Sequence, residues 1–135
     1  FTLPFGVASL LREGSEVTII AYGAAVHWAL ETLEKHPHIS ADLIDLRSLQ
    51  PLDFDSILTS VKKTNKAIIL QEDSLFGSMA SEISSQLMEQ AFEFLDAPVK
   101  RVASLETPIP FASSLEQQYL AKRTFENELI ALLAY

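Results

Sequence analysis

The sequence predicts a three-layer α/β/α domain in which helices cover both faces of a mostly parallel sheet. Short apolar runs rich in β-branched residues, typical of strands buried on both faces, alternate with longer segments of helical periodicity. Strands that alternate with helices favour parallel pairing, because each helix returns the chain to the same end of the sheet. The length of 135 residues suits one domain, and we find no internal repeat or linker.

Five strands are predicted from apolar runs bounded by turn residues. The first interior run, Val-Thr-Ile-Ile-Ala-Tyr, ends at Gly23, and three later runs have the same character. The start of the chain adds an edge strand that turns back at Glu13 and Gly14. The predicted strands cover residues 7–11, 17–22, 41–46, 66–71 and 99–103.

Apolar residues at helical spacing predict four helices. The first places Val26, Leu30 and Leu33 on one apolar stripe before Pro37 stops it. The second opens at Asp53, whose carboxylate is a suitable N-cap, and carries two lysines near its end, where cations suit the helix dipole. The first helix is predicted at 24–35, and two further helices are predicted at 78–95 and 124–134.

Composition limits the chemistry that the chain can carry. There is no cysteine, which excludes disulfides, thiolate catalysis and cysteine metal ligands. A net charge of −8 disfavours phosphate backbones and anionic membranes and favours a basic protein partner. The sequence has only four glycines and lacks a P-loop, a dinucleotide-binding turn and a nucleophile elbow.

The subcellular location is predicted from features that the sequence lacks. No apolar run approaches the roughly 18 residues that span a bilayer. Residues 1–11 lack the basic start and the long apolar stretch of a signal peptide. Together with the absence of cysteine, this leads us to expect a cytoplasmic protein. The chain begins at Phe1 and not at Met, so we expect a fragment of a longer chain or a processed product.

Polar residues follow two of the predicted strands at their carboxyl ends, where ligands gather in open α/β sheets. His27 follows the first interior strand, but a glutamate four residues later favours a solvent-facing histidine over a catalytic one. Glu72 and Asp73 follow a later strand; they suit a metal or a polarised substrate, and a cap for the next loop is the better interpretation. His36 and His38 are predicted to lie exposed in a turn.

The long predicted helix carries an ordered set of acidic residues. Between residues 67 and 99 there are six acids and no Lys or Arg. At 3.6 residues per turn, five polar residues of the helix fall within an arc of about 80°, opposite an apolar stripe. Like charges at i+3 and i+4 mildly destabilise a helix, so we interpret the stripe as a docking surface for a basic partner, with a solvated amphipathic face as the alternative. The stripe comprises Glu82, Gln86, Glu89, Glu93 and Asp96.

Six stretches of the sequence form a specific combination over nearly the whole chain. The most specific are IDLRSLQPLD at 44–53, LDAPVKRV at 95–102 and TPIP at 107–110. The other three are LLREGSEVT at 10–18, AYG at 21–23 and SEIS at 81–84. Taken in their order along the chain, the stretches resemble the C-terminal domain of the beta subunit of 2-oxo acid dehydrogenase decarboxylase components, in the transketolase-like family.

The resemblance implies a five-stranded, mostly parallel mixed sheet between helices and a parent enzyme that uses thiamine diphosphate and magnesium. That parent decarboxylates a 2-oxo acid and transfers the acyl group to lipoate. The family's GDG motif and distant NN are absent here, and its catalytic histidines lie upstream, so no catalytic, cofactor or metal residue carries over. The C-terminal domain is implied to assemble the subunits, as a homodimer or alpha2-beta2, and to receive the basic peripheral subunit-binding domain of the lipoyl acyltransferase.

Four residues are the candidates for binding that partner. Asp96 stands where the family has Glu or Asp before Ala-Pro-Val, and Tyr135 resembles the aromatic C-terminus near the docking site of some members. Glu93 and Glu89 extend the set along the acidic stripe without a motif match. The run ASEIS at 80–84 resembles branched-chain members, so a 2-oxoisovalerate dehydrogenase is favoured, with pyruvate dehydrogenase as the nearest alternative.

Two other hypotheses stay open. The first is a self-contained small enzyme that uses Tyr22, His27 and Glu72 at the strand ends, which turnover by the isolated domain would support. The second is the C-terminal domain of a related family, such as that of a deoxyxylulose phosphate synthase. The residues upstream of Phe1 would decide, since a thiamine-family pyrimidine domain there would support the dehydrogenase.

Overall fold

A computed structural model describes residues 7–47, 52–71, 77–103 and 114–135 of the chain. Within these ranges the predicted fold class is confirmed, because a five-stranded mixed sheet lies between two layers of helices. Glu72, Asp73 and the motif at 107–110 lie outside the described residues.

The sheet has the strand order β1-β3-β2-β4-β5. Strands β2, β3, β4 and β5 run parallel, and β1 pairs antiparallel with β3 at one edge. Strands β2 to β5 each differ from their predictions by one residue at one end, and the edge strand predicted at 7–11 is confirmed as β1, which lies at 9–12. The strands are β1 Ser9–Arg12, β2 Val17–Ala21, β3 Ala41–Asp45, β4 Ala67–Gln71 and β5 Lys100–Ala103.

Helices α1 and α4 cover one face of the sheet, and α2 and α3 cover the other. Ile19 and Ile68 belong to the core under α1 and α4, while their neighbours Ile20 and Ile69 belong to the core under α2 and α3. Burial on both faces explains why successive strand residues are apolar. The helices are α1 Ala24–Lys35, α2 Phe54–Thr64, α3 Gly77–Ala91 and α4 Ser114–Leu133, and a 3-10 turn spans Phe92–Phe94.

The predicted end of the long helix is wrong. The α-helix stops at Ala91, a 3-10 turn follows, and Leu95 is extended with φ −85° and ψ 130°. The carbonyl of Phe94 accepts a 2.7 Å hydrogen bond from Asn65 Nδ2, and the N–H of Asp96 donates to the Asn65 carbonyl at 2.8 Å. These tertiary bonds replace helical ones, so the acidic stripe is not one continuous helical row through Glu93 and Asp96.

The last helix begins ten residues before its predicted start at 124, at Ser114. Residues 115–123 include Leu, Glu, Gln, Ala, Lys and Arg, which are good helix formers, although they show no clear apolar stripe. Intrinsic propensity therefore extends the helix beyond the part that periodicity identifies. No helix among the described residues is both long enough and apolar enough to cross a membrane.

A buried polar network fastens α2 to the sheet. The side chain of Asp42 is 2% exposed, and it accepts hydrogen bonds from Gly14 N (2.8 Å), Ser60 Oγ (2.7 Å) and Lys63 Nζ (2.8 Å). Ser60 Oγ also lies 2.6 Å from Thr18 Oγ1 in β2. A buried carboxylate that has three donors avoids the cost of an unpaired charge.

The predicted cap at the start of α2 is confirmed. Asp53 Oδ1 accepts from Ser56 N at 3.1 Å, and Oδ2 accepts from Ser56 Oγ at 2.6 Å and from Ala8 N at 2.9 Å. Burial raises the pKa of Asp53, but the hydrogen bonds from Ser56 and Ala8 outweigh it and hold the pKa below its ordinary value. The cap therefore also ties the approach to β1 to the start of α2.

Candidate functional site

An open groove of about 400 Å³ lies beside the end of α3 and the approach to β5. Ser84, Met88 and Phe92, spaced one helical turn apart, line it together with residues 95–99 and Tyr135. The large apolar members are unusually open to solvent: Met88 is 46% exposed, Phe92 66% and Tyr135 71%. A contiguous apolar patch of this kind marks an interaction surface more often than an accident of the fold.

The structure brings together two of the four predicted docking residues. Asp96, which precedes β5, and Tyr135, which follows α4, both line the groove. Glu89 and Glu93 are exposed on α3 and on the 3-10 turn, outside the lining set. Each directly follows a lining residue in sequence, Met88 or Phe92, so both acids lie within one residue of the groove lining.

The acids around the groove have no internal counter-charges. Among the described residues, Glu89, Glu93 and Asp96 form no ion pair with Lys, Arg or His. Farther along α3, Glu82 accepts a hydrogen bond from the neutral Gln86 side chain at 2.9 Å. The groove therefore combines apolar walls with a carboxylate, that of Asp96, which forms no ion pair with a described residue, and this combination suits a basic partner.

The turn between α2 and β4 positions both sides of the groove. Asn65 adopts the left-handed conformation, with φ 69°, and bonds the carbonyl of Phe94 and the N–H of Asp96. Lys66 Nζ donates to the carbonyl of Leu133 at the end of α4, at 3.2 Å, two residues before Tyr135. Asn65 thus fixes the segment that carries Asp96, and Lys66 fixes the helix end that precedes Tyr135.

Neither residue of this turn was identified from the sequence. The available signal was an asparagine directly after a helical pattern, since Asn is the common non-glycine residue in left-handed helix caps. The tertiary partners of Asn65 and Lys66 lie 29 and 67 residues away, so no local pattern indicates them.

The prediction that His36 lies exposed in a turn is wrong. Its side chain is 23% exposed, and Nε2 lies 2.9 Å from Glu126 Oε2 in α4. Lys35 Nζ is 3.1 Å from the same oxygen. The hydrogen bonds from His36 and Lys35 hold the pKa of Glu126 below its ordinary range, against a small opposing effect of burial. His38 is exposed as predicted, with its ring 5.9 Å from that of His36.

The described part of the carboxyl edge of the sheet, which excludes residues 48–51, 72–76 and 104–113, offers little space for chemistry. A pocket of about 20 Å³ lies there, lined by Tyr22, Gln71 and apolar residues, which is room for roughly one water molecule. His27 is exposed on α1 and does not line the pocket. Across the described ranges, no three His, Asp or Glu side chains are grouped to hold a metal ion. Within the described residues, a pocket of this size and lining therefore does not fit magnesium diphosphate.

Comparisons with known proteins agree with the fold and its architecture. The family described as "Transketolase, C-terminal domain" matches residues 6–124. The pyruvate dehydrogenase E1 component subunit beta of Rickettsia felis is 39% identical over 135 residues, covering 98% of this chain and 41% of that protein. The 2-oxoisovalerate dehydrogenase subunit beta of Bacillus subtilis is 38% identical over 123 residues, covering 89% of this chain and 38% of that protein.

A solved structure has the same architecture. It is described as a split gene transketolase, an inactive beta4 tetramer, and it superposes with a TM-score of 0.78 at 27% identity. The match covers 99% of this chain and 43% of that chain. The chain thus spans about two fifths of the length of the curated relatives, as the 41% and 38% coverages show.

Proposed function

The chain belongs to the transketolase C-terminal domain family, and we propose that it is the assembly and partner-docking domain of a thiamine diphosphate-dependent 2-oxo acid dehydrogenase. The observation that carries this proposal is the groove in which Asp96 and Tyr135 meet among unpaired acids. The named relatives are beta subunits of such dehydrogenases. The absence of cysteine fits the cytoplasmic location that we propose for it.

The proposed partner is the basic peripheral subunit-binding domain of the lipoyl acyltransferase. Asp96 is exposed, has no ion pair with a described residue and lies on the groove, so it is free to accept a charge-assisted hydrogen bond from Lys or Arg. Glu89 and Glu93 add negative potential at the flank, which steers a basic partner towards the groove.

The docking proposal is tested by titrating the full-length parent with the subunit-binding domain at increasing salt. We expect the affinity to fall with ionic strength, because exposed charges are screened beyond about 10 Å at 0.1 M salt. Asp96→Lys should raise Kd by about 100-fold at low salt, since a like-charge contact costs roughly 3 kcal/mol.

The matched control is Glu34→Lys, which makes the same charge change at an exposed position of α1, on the opposite face of the sheet. It should alter Kd by less than about twofold, a small long-range effect of net charge. Tight binding that neither salt nor Asp96→Lys weakens would refute electrostatic docking at this site.

For the parent's substrate we propose a branched-chain 2-oxo acid such as 2-oxoisovalerate. The run ASEIS at 80–84 and the 2-oxoisovalerate dehydrogenase relative support this choice. Pyruvate is the second candidate, favoured by the pyruvate dehydrogenase relative, which has 39% identity. Comparing kcat/KM for 2-oxoisovalerate and pyruvate with the assembled parent decides between them, and a higher value for pyruvate would overturn the first.

We propose that the chemistry belongs to the parent's upstream portion and its other subunits, in a homodimeric or alpha2-beta2 assembly. Thiamine diphosphate would there supply the group that accepts the decarboxylated acyl fragment, and magnesium would hold its diphosphate. The isolated domain should show no turnover of either 2-oxo acid when thiamine diphosphate and magnesium are supplied. Turnover would instead favour the self-contained enzyme built on Tyr22 and His27, and condensation of pyruvate with a sugar phosphate by the parent would favour the synthase.

A further inference from the structure

The groove has a second recognition element besides its charge. Met88 on α3 and Phe92 at the start of the 3-10 turn form a solvent-facing apolar pair beside the buried row of Ile83, Leu87 and Ala91 on α3. A surface helix needs only one apolar stripe to pack on its sheet. The outer pair contributes little to that core, so it is available to a partner.

We infer that the partner inserts one bulky apolar side chain, flanked by Lys or Arg, between Met88, Phe92, Pro98 and Tyr135. This inference rests on the proposed docking function and specifies which side chains of the partner the groove recognises. Asp96 lines the same groove, so a basic residue of the partner must lie next to the inserted side chain. The partner motif is therefore an apolar residue with adjacent basic residues, and not a basic run alone.

The dimensions and the side chains fit a single inserted residue. A volume of about 400 Å³ is near the lower end for ligand pockets, and this groove is open to solvent. Met88 has a flexible, polarisable side chain that adapts to an aliphatic or aromatic guest. Phe92 and Tyr135 offer large rigid surfaces, and Tyr is enriched at the centres of interfaces for that reason.

Charge decides between a basic partner and a second copy of the chain. A symmetric dimer through this groove would place Asp96 and its flanking acids against the same acids of the other copy. The net charge of −8 adds to that repulsion, and no described cation lies close enough to pair with these acids. A basic partner meets the opposite situation, since each contact gains attraction.

The test is calorimetry on the full-length parent with the purified peripheral subunit-binding domain. We expect Phe92→Ser to raise Kd about tenfold and to make the heat capacity change of binding less negative, because less apolar surface is buried. The salt dependence of Kd should stay as in the wild type. Asp96→Asn should do the reverse, reducing the salt dependence while leaving the heat capacity change in place.

Leu11→Ser is the matched control, because Leu11 is 41% exposed on β1, at the sheet edge opposite β5. It should leave Kd and the heat capacity change unaltered. If Phe92→Ser leaves both unchanged while Asp96→Lys abolishes binding, the apolar insertion is wrong and docking stands.

If neither Phe92→Ser nor Asp96→Lys weakens binding, the docking site itself is wrong and this inference falls with it. Sedimentation of the parent tests the second copy as occupant. If Phe92→Ser dissociates an oligomer and leaves the partner's Kd unaltered, the groove is a self-interface and the inference is overturned.

Discussion

The acids between α1 and α4 and the acids near the end of α3 differ in how their charges are paired. Between α1 and α4, Glu126 has Lys35 at 3.1 Å and His36 at 2.9 Å, and Glu31 has Lys122 at 2.8 Å. Each of these pairs joins the two helices that cover one face. Their charges are therefore used within the chain, to hold α4 against α1.

On the other face, the acids near the end of α3 have no such partners. Glu89, Glu93 and Asp96 lie exposed around an apolar groove, and none pairs with a described cation. Unpaired like charges do not stabilise the fold, and their mutual repulsion mildly destabilises it. The difference indicates which acids serve the structure and which are available to a partner, and it predicts that the two sets respond to substitution in opposite ways.

The largest expected effect is on Asp42, the most buried of the internally paired acids. Asp42→Ala should lower the free energy of unfolding by about 3 kcal/mol, because Gly14 N and Ser60 Oγ lose their acceptor in a buried site. Lys63, half-exposed, can turn to solvent and limits the loss. Urea unfolding measures the change.

The control for Asp42 is Asp55→Ala, which removes an exposed acid in the first turn of α2. It should cost about 0.5 kcal/mol through the helix dipole. Equal losses for Asp42→Ala and Asp55→Ala would mean that burial does not separate the paired acids from the exposed ones.

An intermediate effect is expected at Asn65, in the turn between α2 and β4. Asn65→Gly keeps the positive φ but removes the hydrogen bond to the Phe94 carbonyl, so it should cost about 1 kcal/mol and weaken partner binding about fivefold. Asn65→Ala adds strain of roughly 1 kcal/mol at that φ. A loss of stability in Asn65→Gly with unaltered partner affinity would show that the Asn65 side chain does not position Asp96, because the backbone bond from Asp96 N to the residue-65 carbonyl is retained.

A small effect is expected on the α1–α4 face. Glu126→Gln should lower the free energy of unfolding by about 0.5 kcal/mol, because partly exposed ion pairs contribute little. Partner affinity should not change, since Glu126 lies on the face away from the groove. Thermal unfolding and the same calorimetric titration measure the two quantities, and a marked loss of affinity would erase the distinction between the faces.

The smallest effect is a dependence on pH confined to acid conditions. The hydrogen bonds from His36 and Lys35 lower the pKa of folded Glu126 below 4.5, so the carboxylate stabilises the fold fully above the unfolded pKa. That stabilisation is lost as the pH falls through the lowered folded pKa. The stability difference between wild type and Glu126→Gln should thus shrink only below about pH 4.5, and a difference that instead grows there would contradict this assignment.

The interior of the sheet could be predicted closely because burial on both faces leaves a strong local signal. Runs such as Val17–Ala21 and Ala67–Gln71 are apolar at nearly every position, and turn residues bound them. The N-cap at Asp53 was also predictable, since a carboxylate before a helical pattern has few other local uses.

The parts that were missed depend on contacts between distant residues. The end of α3 is set by Asn65, 29 residues before Phe94, and the partner of His36 lies 90 residues away in α4. Asp96 was predicted from the helical stripe, whose continuation past Ala91 was wrong, and also from the motif before Ala-Pro-Val, which does not depend on helical geometry. Its position beside Tyr135 in one groove could not be read from periodicity at all.

The completion of one core by α4 bears on the order in which the chain folds. Trp28 on α1 shares that core with Phe125 and Leu129 on α4, far away in sequence, whereas α2 and α3 follow one another closely. Distant contacts form late, because the entropy of closing a long loop is lost before they stabilise anything. We therefore expect the α2–α3 side to close first. Trp28 is the chain's one tryptophan, so its fluorescence in stopped-flow refolding should report the last kinetic step, the arrival of α4.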